Sequence, residues 1–120
     1  MPHCVIEVTS NLLPKIDPDR LMDDVVAALD RTGFFKADDI KVRIRPIEFF
    51  RMGFDNSENS YVAADVQLLN DKDEAQLAAV TSAVHEAILS HFSGAVGKNS
   101  ITTRITLMDP GLYKQAVNYE

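Results

Sequence analysis

The chain has 120 residues and a mass of 13.3 kDa, which is room for one core of ordinary size and not for two. Hydrophobic residues make up 46% and charged residues 25%, which excludes a disordered chain, and no apolar run is long enough to span a membrane. The 18 acidic residues outnumber the 12 Lys and Arg, giving a net charge of −6; duplex nucleic acid and anionic membrane surfaces are therefore disfavoured partners, and a small anionic substrate would need a local cluster of cations.

The N-terminus, Met1-Pro2-His3-Cys4, has no basic segment followed by an apolar stretch, so no secretory signal is read there. Cys4 is the single cysteine. It can neither staple the fold nor build a zinc site alone, and together these features point to a reducing cytoplasm. His3–Val8 is rich in Val and Ile without clean alternation and predicts a mostly buried strand. Ser10 to Lys15 is a loop. Asp17-Pro18 supplies an acidic N-cap followed by proline at the first helical position. Leu21, Met22, Val25, Val26 and Leu29 then recur at helical spacing, with Asp23, Asp24 and Asp30 on the wet side and Gly33 as the C-cap.

A second strand is expected from Ile40 to Phe50. Ile40, Val42 and Ile44 alternate with Lys41, Arg43 and Arg45, so the cations share one face. Gly53 to Ser60 reads as a turn or mobile loop. Tyr61 to Leu69 is a third strand. Asp71 to Asp73 opens a second helix whose stripe is Leu77, Val80, Val84, Ile88 and Phe92, ended by Gly94 and Gly97. Ile101 to Met108 is a fourth strand, followed by the turn Asp109-Pro110-Gly111 and a tail.

The order is β-α-β twice, in pseudo-repeats of about 1–59 and 60–120 within one domain. This α+β (α/β) arrangement predicts a four-stranded mixed sheet, parallel within each half, with both helices on one face. The other face would be uncovered. Val5, Ile6, Val62, Ala64, Val66 and Ile105 are candidates for it, and an apolar open face predicts burial against other subunits. Element order alone fits either a ferredoxin-like binding or regulatory module or a tautomerase-type repeat.

The N-terminus separates the two. Removal of Met1 leaves Pro2 with a free secondary amine at the start of a strand. An α-amino group titrates near pH 8 in a model peptide. Burial and nearby cations both disfavour its charged form, so such an amine can serve as a general base near neutral pH. With Met1 retained, Pro2 is an amide and has no such role.

Met1-Pro2-His3-Cys4-Val5-Ile6-Glu7, Thr32-Gly33-Phe34-Phe35, Ile40-Lys41-Val42-Arg43, Tyr61 and Ser90-His91-Phe92 resemble, in order and spacing, the 5-carboxymethyl-2-hydroxymuconate isomerase family of the tautomerase superfamily. The resemblance implies a cytoplasmic homotrimer of fused β-α-β repeats that serves the catabolism of aromatic compounds. It implies a cofactor-independent isomerase in which the amino-terminal proline, here Pro2, moves a proton on a dienol carboxylate. It also implies cations that bind the substrate's carboxylates. Lys41 and Lys72 occupy the positions of two family arginines; the charge is kept and the bidentate fork is lost. Asn70-Asp71-Lys72-Asp73 lacks the family's Gly-Arg-Ser signature.

Arg43, on the face of Lys41, is a further candidate for carboxylate binding, and Arg45 continues the row. His3, directly after the base, is a candidate for shaping the pocket or tuning Pro2. Tyr61 and Phe50 are candidate apolar walls, and Cys4 is expected to be buried. His85 and His91, six residues apart, do not share a helix face and make no metal pair. No phosphate-cradling loop is present. A decarboxylase- or dehalogenase-like use of the same proline with an activated water has no distinct acid–base partner in the sequence.

Overall fold

The computed structural model describes residues 1–54 and 58–118. Its elements are β1 (His3–Thr9), α1 (Pro18–Arg31), β2 (Lys41–Ile47), β3 (Ser60–Leu69), α2 (Glu74–Leu89) and β4 (Asn99–Met108), with single 3₁₀ turns at Leu13–Lys15, Ala37–Asp39 and Pro110–Leu112. No helix among the described residues is long and apolar enough to cross a membrane.

Local chemistry sets the helix ends. The Asp17 side chain accepts from the Arg20 N–H at 3.2 Å, and Pro18 follows it. Asp73 and Gln76 form a reciprocal capping box at α2: the Asp73 carboxylate accepts from the Gln76 N–H at 2.8 Å, and the Gln76 side chain accepts from the Asp73 N–H at 3.1 Å. The two together satisfy donors that an uncapped helix would leave orphaned. Gly33 closes α1 at φ +80°, a left-handed position that glycine adopts without a Cβ clash. The second strand ends at Ile47, short of Phe50, because the backbone leaves the β1 ladder after the Thr9–Ile47 pair. Part of the Gly53–Ser60 loop, residues 55–57, lies outside the described residues, as do 119–120 of the tail.

The strand order is β2-β1-β3-β4. β1 pairs parallel with β2, β3 parallel with β4, and the two halves meet along the antiparallel β1–β3 pair. This pairing decides between the two topologies compatible with the element order. In a split β-α-β arrangement another strand separates the strands that a helix connects; here each helix joins strands that are direct neighbours. The ferredoxin-like alternative is thereby overturned.

Both helices pack on one face. Cys4, Ile6 and Val8 of β1 and Val62, Ala64, Val66 and Leu68 of β3 meet Leu21, Val25 and Leu29 of α1 and Val80, Val84 and Ile88 of α2 in one core. The expected membership of the uncovered face needs correcting at this point. Ile6, Val62, Ala64, Val66 and Ile105 all belong to or pack against the helix-covered core; of the six candidates only Val5 has the opposite parity. The open face instead presents His3, Val5 and Glu7 beside Lys41, Arg43 and Arg45 on one side and Ala63, Asp65 and Gln67 on the other, with Thr102, Arg104 and Thr106 beyond. It is a polar, charged surface, not an apolar one.

The two histidines of the α2 region are partly buried ties. His91 Nε2 lies 2.7 Å from Asp24 Oδ2, joining the end of α2 to α1, and its side chain is only 10% exposed. His85 Nδ1 lies 2.9 Å from Thr103 Oγ1 and joins α2 to β4. Asp24 is accordingly half-buried and does not share the fully wet side with Asp23 and Asp30.

The entry to β4 depends on Gly97. Its φ is +72°, and a Cβ there would stand 2.5 Å from the Glu58 carbonyl oxygen. Gly97→Ala is expected to cost about 1–3 kcal/mol of stability, read as a lowered midpoint in urea unfolding. A wild-type midpoint would show that the Glu58 segment gives way freely.

Candidate functional site

Pro2 is buried at the lip of the core, immediately before β1. Its carbonyl accepts the Lys41 N–H at 3.0 Å. That bond extends the parallel β1–β2 ladder by one rung and brings the first residue of β2 beside the amino terminus. Here the chain carries Met1, whose amine is held below its ordinary value of 8.0. Burial is the main cause, and the Lys41 charge adds to it, while Asp39 opposes. Lys41 is exposed, and its Nζ donates to the Asp39 carbonyl at 3.2 Å.

His3 stands on the open face, directly across from Lys41 on one side and Gln67 on the other. Arg43 Nη1 reaches its Nδ1 at 3.0 Å. The His3 pKa is depressed below 6.5, first by burial and then by Arg43, Lys41 and the amino terminus. The sign of the linkage follows. His3 is harder to protonate folded than unfolded, so it adds stability above pH 6.5 that is lost as the pH falls through its folded value.

Lys72 lies just beyond β3, at the end of the sheet where β1 begins. Its ammonium is 2.9 Å from Asp71 Oδ1 and 4.8 Å from the centroid of the Phe35 ring, and its side chain is 13% exposed. To hold a substrate carboxylate it must exchange Asp71 for it. Phe35 in turn meets Phe34 edge-on at 6.3 Å. The motif Thr32-Gly33-Phe34-Phe35 thus turns the chain at Gly33 and puts an aromatic ring under the Lys72 charge.

The structure gathers Pro2, His3, Lys41, Arg43 and Lys72 at one end of the sheet. It does not bring Tyr61 and Phe50 there. They pack edge-on at 6.1 Å near the far end of β1, where the Tyr61 N–H donates to Thr9 Oγ1, roughly 20 Å from His3 along the strand. Within one chain they are not walls of a pocket around Pro2. Arg45 also points away from Pro2, into the middle of the open face.

That middle holds a shallow concavity of about 430 Å³ lined by Val5, Glu7, Arg45, Asp65, Gln67 and Arg104, among others. Asp65 is its hub, accepting from Thr106 Oγ1 at 2.7 Å and pairing with Arg104 Nε at 3.5 Å. Pro2 is not on its lining, so the concavity reflects the curvature of the sheet and not the chemistry at its end. Asp65 and Gln67 were not singled out from sequence, although the alternation Tyr61, Ala63, Asp65, Gln67 on β3 signals a second polar row. Cys4 is fully buried, and desolvation pushes its thiol up to about 12, which makes it an inert core group. No cluster of metal-ligating side chains occurs among the described residues.

An amine whose charged form is disfavoured, flanked by cations, can take up and return a proton while holding an anion. Comparison with known proteins gives the family and the fold. The profile of the 5-carboxymethyl-2-hydroxymuconate isomerase family matches residues 2–115. No curated protein matches the chain. Among solved structures, a 5-carboxymethyl-2-hydroxymuconate isomerase from Deinococcus radiodurans R1 is similar with a TM-score of 0.86 and 20% identity, over 98% of this chain and 90% of that one. A 5-carboxymethyl-2-hydroxymuconate delta-isomerase has a TM-score of 0.84 and 15% identity, over 98% and 89%. A fused 4-OT wild type symmetric trimer has 0.69 and 13%, over 97% and 92%. At these identities the solved structures establish the fold, and the profile over nearly the whole sequence establishes the family. The chain belongs to the 5-carboxymethyl-2-hydroxymuconate isomerase family and is an isomerase of the tautomerase superfamily.

Proposed function

We propose that the protein shifts a proton on a 2-hydroxymuconate-type dienol carboxylate without a cofactor, with Pro2 as the general base and acid once Met1 is removed. The observation that carries this reading is the setting of Pro2: buried, bonded through its carbonyl to Lys41, and at a terminus whose amine is already biased toward neutrality. Processing places a secondary amine one residue further in, against the same burial and the same lysine. In the forward step the neutral amine accepts the proton of the enol hydroxyl, leaving a dienolate. In the return step the resulting ammonium gives a proton to a carbon of the conjugated system, and the ketone forms. The proton count on the protein is unchanged over the cycle.

Lys41 and Arg43 supply positive charge for the substrate's carboxylate and for the dienolate as it develops. Lys72, after release from Asp71, would hold a second carboxylate, and His3 borders the same space. The working unit is a homotrimer, as the symmetric trimer among the fold's relatives suggests. The reason for assembly differs from the apolar cover expected of the sheet: the open face carries charges of both signs, Arg45 and Glu7 beside the Arg104–Asp65 pair, that a second copy can meet with its own.

The test is an assay of the processed protein on 2-hydroxymuconate, followed by ultraviolet absorbance as the dienol is consumed, beside its solution mass. Turnover by a trimer is expected. Lys41→Gln should raise KM by about tenfold, the loss of roughly one charge-assisted contact. A processed protein without turnover on any such dienol would refute the reading.

A further inference from the structure

The contact between Arg43 and His3 constrains both residues more than a shared pocket would. A guanidinium is always protonated and has no lone pair to offer; it can only donate. The 3.0 Å approach of Arg43 Nη1 to His3 Nδ1 therefore requires Nδ1 to be the acceptor. The ring is then neutral, with its single proton on Nε2. Protonation of Nδ1 would set an N–H against an N–H beside two further cations.

We propose that Arg43 acts on the reaction through His3, fixing it as the neutral Nε2–H tautomer, and that this Nε2–H donates a hydrogen bond to an oxygen of the substrate held beside Pro2. The donor role rests on the Pro2 reading above; the tautomer does not. Among the described residues the His3 ring has no hydrogen bond other than the one at Nδ1, and Nε2 is not a buried, orphaned atom, so the N–H is free to meet a ligand.

The surroundings of the ring are cationic or neutral on the side of β2 and mixed on the side of β3. Lys41 lies directly across on β2, with Arg43 diagonal. Gln67 lies across on β3, with Asp65 diagonal and occupied by Arg104, Gln67 and Thr106. The amino terminus is the remaining charged group. Partial burial of the ring, and then Arg43, Lys41 and the amino terminus, favour the neutral form, in line with the geometric requirement.

The arrangement has a chemical use. With its lone pair committed to Arg43, His3 cannot take the proton that Pro2 has collected. It can still stabilise negative charge on an enolate oxygen. Arg43 is then a positioning residue for His3 besides its contribution to the local charge, and His3 separates donation from basicity at a site that needs only one base.

The experiment reads the ring directly. Long-range proton–nitrogen correlation spectra of ¹⁵N-labelled protein at pH 8 should show, for the resonance lost in His3→Gln, a pyridine-like Nδ1 and a pyrrole-like Nε2. Arg43→Met should turn this into a mixture of tautomers and raise the pH at which His3 titrates. For turnover on 2-hydroxymuconate, His3→Gln, whose amide nitrogen reaches the position of Nε2, should stay within about threefold of wild type, whereas His3→Asn, which reaches only Nδ1, should lose about tenfold in kcat/KM.

A wild-type proton on Nδ1, or an Arg43→Met spectrum identical to wild type, overturns the tautomer assignment. Equal turnover of the two His3 variants overturns the donor role. A wild type with no turnover overturns the Pro2 reading and the donor role with it, and the spectrum still decides the tautomer.

Discussion

Replacing Pro2 by alanine, or leaving any residue attached ahead of it, is expected to lower kcat/KM on a 2-hydroxymuconate-type dienol by about 10²–10⁴-fold, the range that a positioned general base contributes. The second variant is the sharper one. An amide nitrogen at Pro2 has no basic lone pair, while burial, the bond to Lys41 and the β1–β2 ladder all remain. The loss should therefore fall on kcat and leave the fold intact. A chain with Met1 or a tag retained that is as active as the processed one refutes the assignment of the base. The pH profile adds a signed check. On the proposed reading the amine works when neutral, so kcat/KM should fall as the pH drops below its pKa. Lys41 lowers the pKa of the Met1 amine, and on the proposed reading the processed Pro2 amine meets the same charge, so Lys41→Gln should move that acidic limb to higher pH.

Much of this site was legible before any coordinates, for reasons that can be named. Lys41, Arg43 and Arg45 alternate with Val42 and Ile44, and a period of two places them on one face whatever the strand pairs with. Pro2 stood out as a candidate because the chemistry proposed for it comes from its position in the chain. Helix starts were legible because Asp17-Pro18 and Asp73 with Gln76 satisfy orphan donors by local contacts.

Three features were hidden because each depends on distant pairing. The parity of β1 is ambiguous where Val5 and Ile6 are both apolar, and only the register with Asp65 and Ala64 shows which faces the helices. The tie between His91 and Asp24 spans 67 positions. The Arg43–His3 contact spans 40, and it gives Arg43 a neighbour that no spacing rule would propose.

That parity carries the second large effect. Ile6→Ala should destabilise the protein by about 2–5 kcal/mol, the cost of a cavity at a site that cannot collapse around it. Ile6 is fully buried in an inner strand of the sheet, between Ile44 on β2 and Ala64 on β3. The strands on either side and the helices above hold the space open. Urea unfolding at a fixed protomer concentration measures the loss; the concentration must be held because assembly adds to apparent stability by mass action. A loss below about 0.5 kcal/mol, the ordinary scale of surface substitutions, would mean that β1 is turned over and Ile6 faces the open side. A one-residue slip has that consequence for every side chain on the strand, since it exchanges the two faces. It would also carry His3 away from Arg43 and Pro2 away from Lys41. The core side chains of β1 therefore set the geometry of the candidate site at its end, although they lie on the helix-covered face. At temperatures where Ile6→Ala remains folded, its kcat/KM should stay near wild type, which separates the anchoring of the strand from the chemistry of the residues it presents.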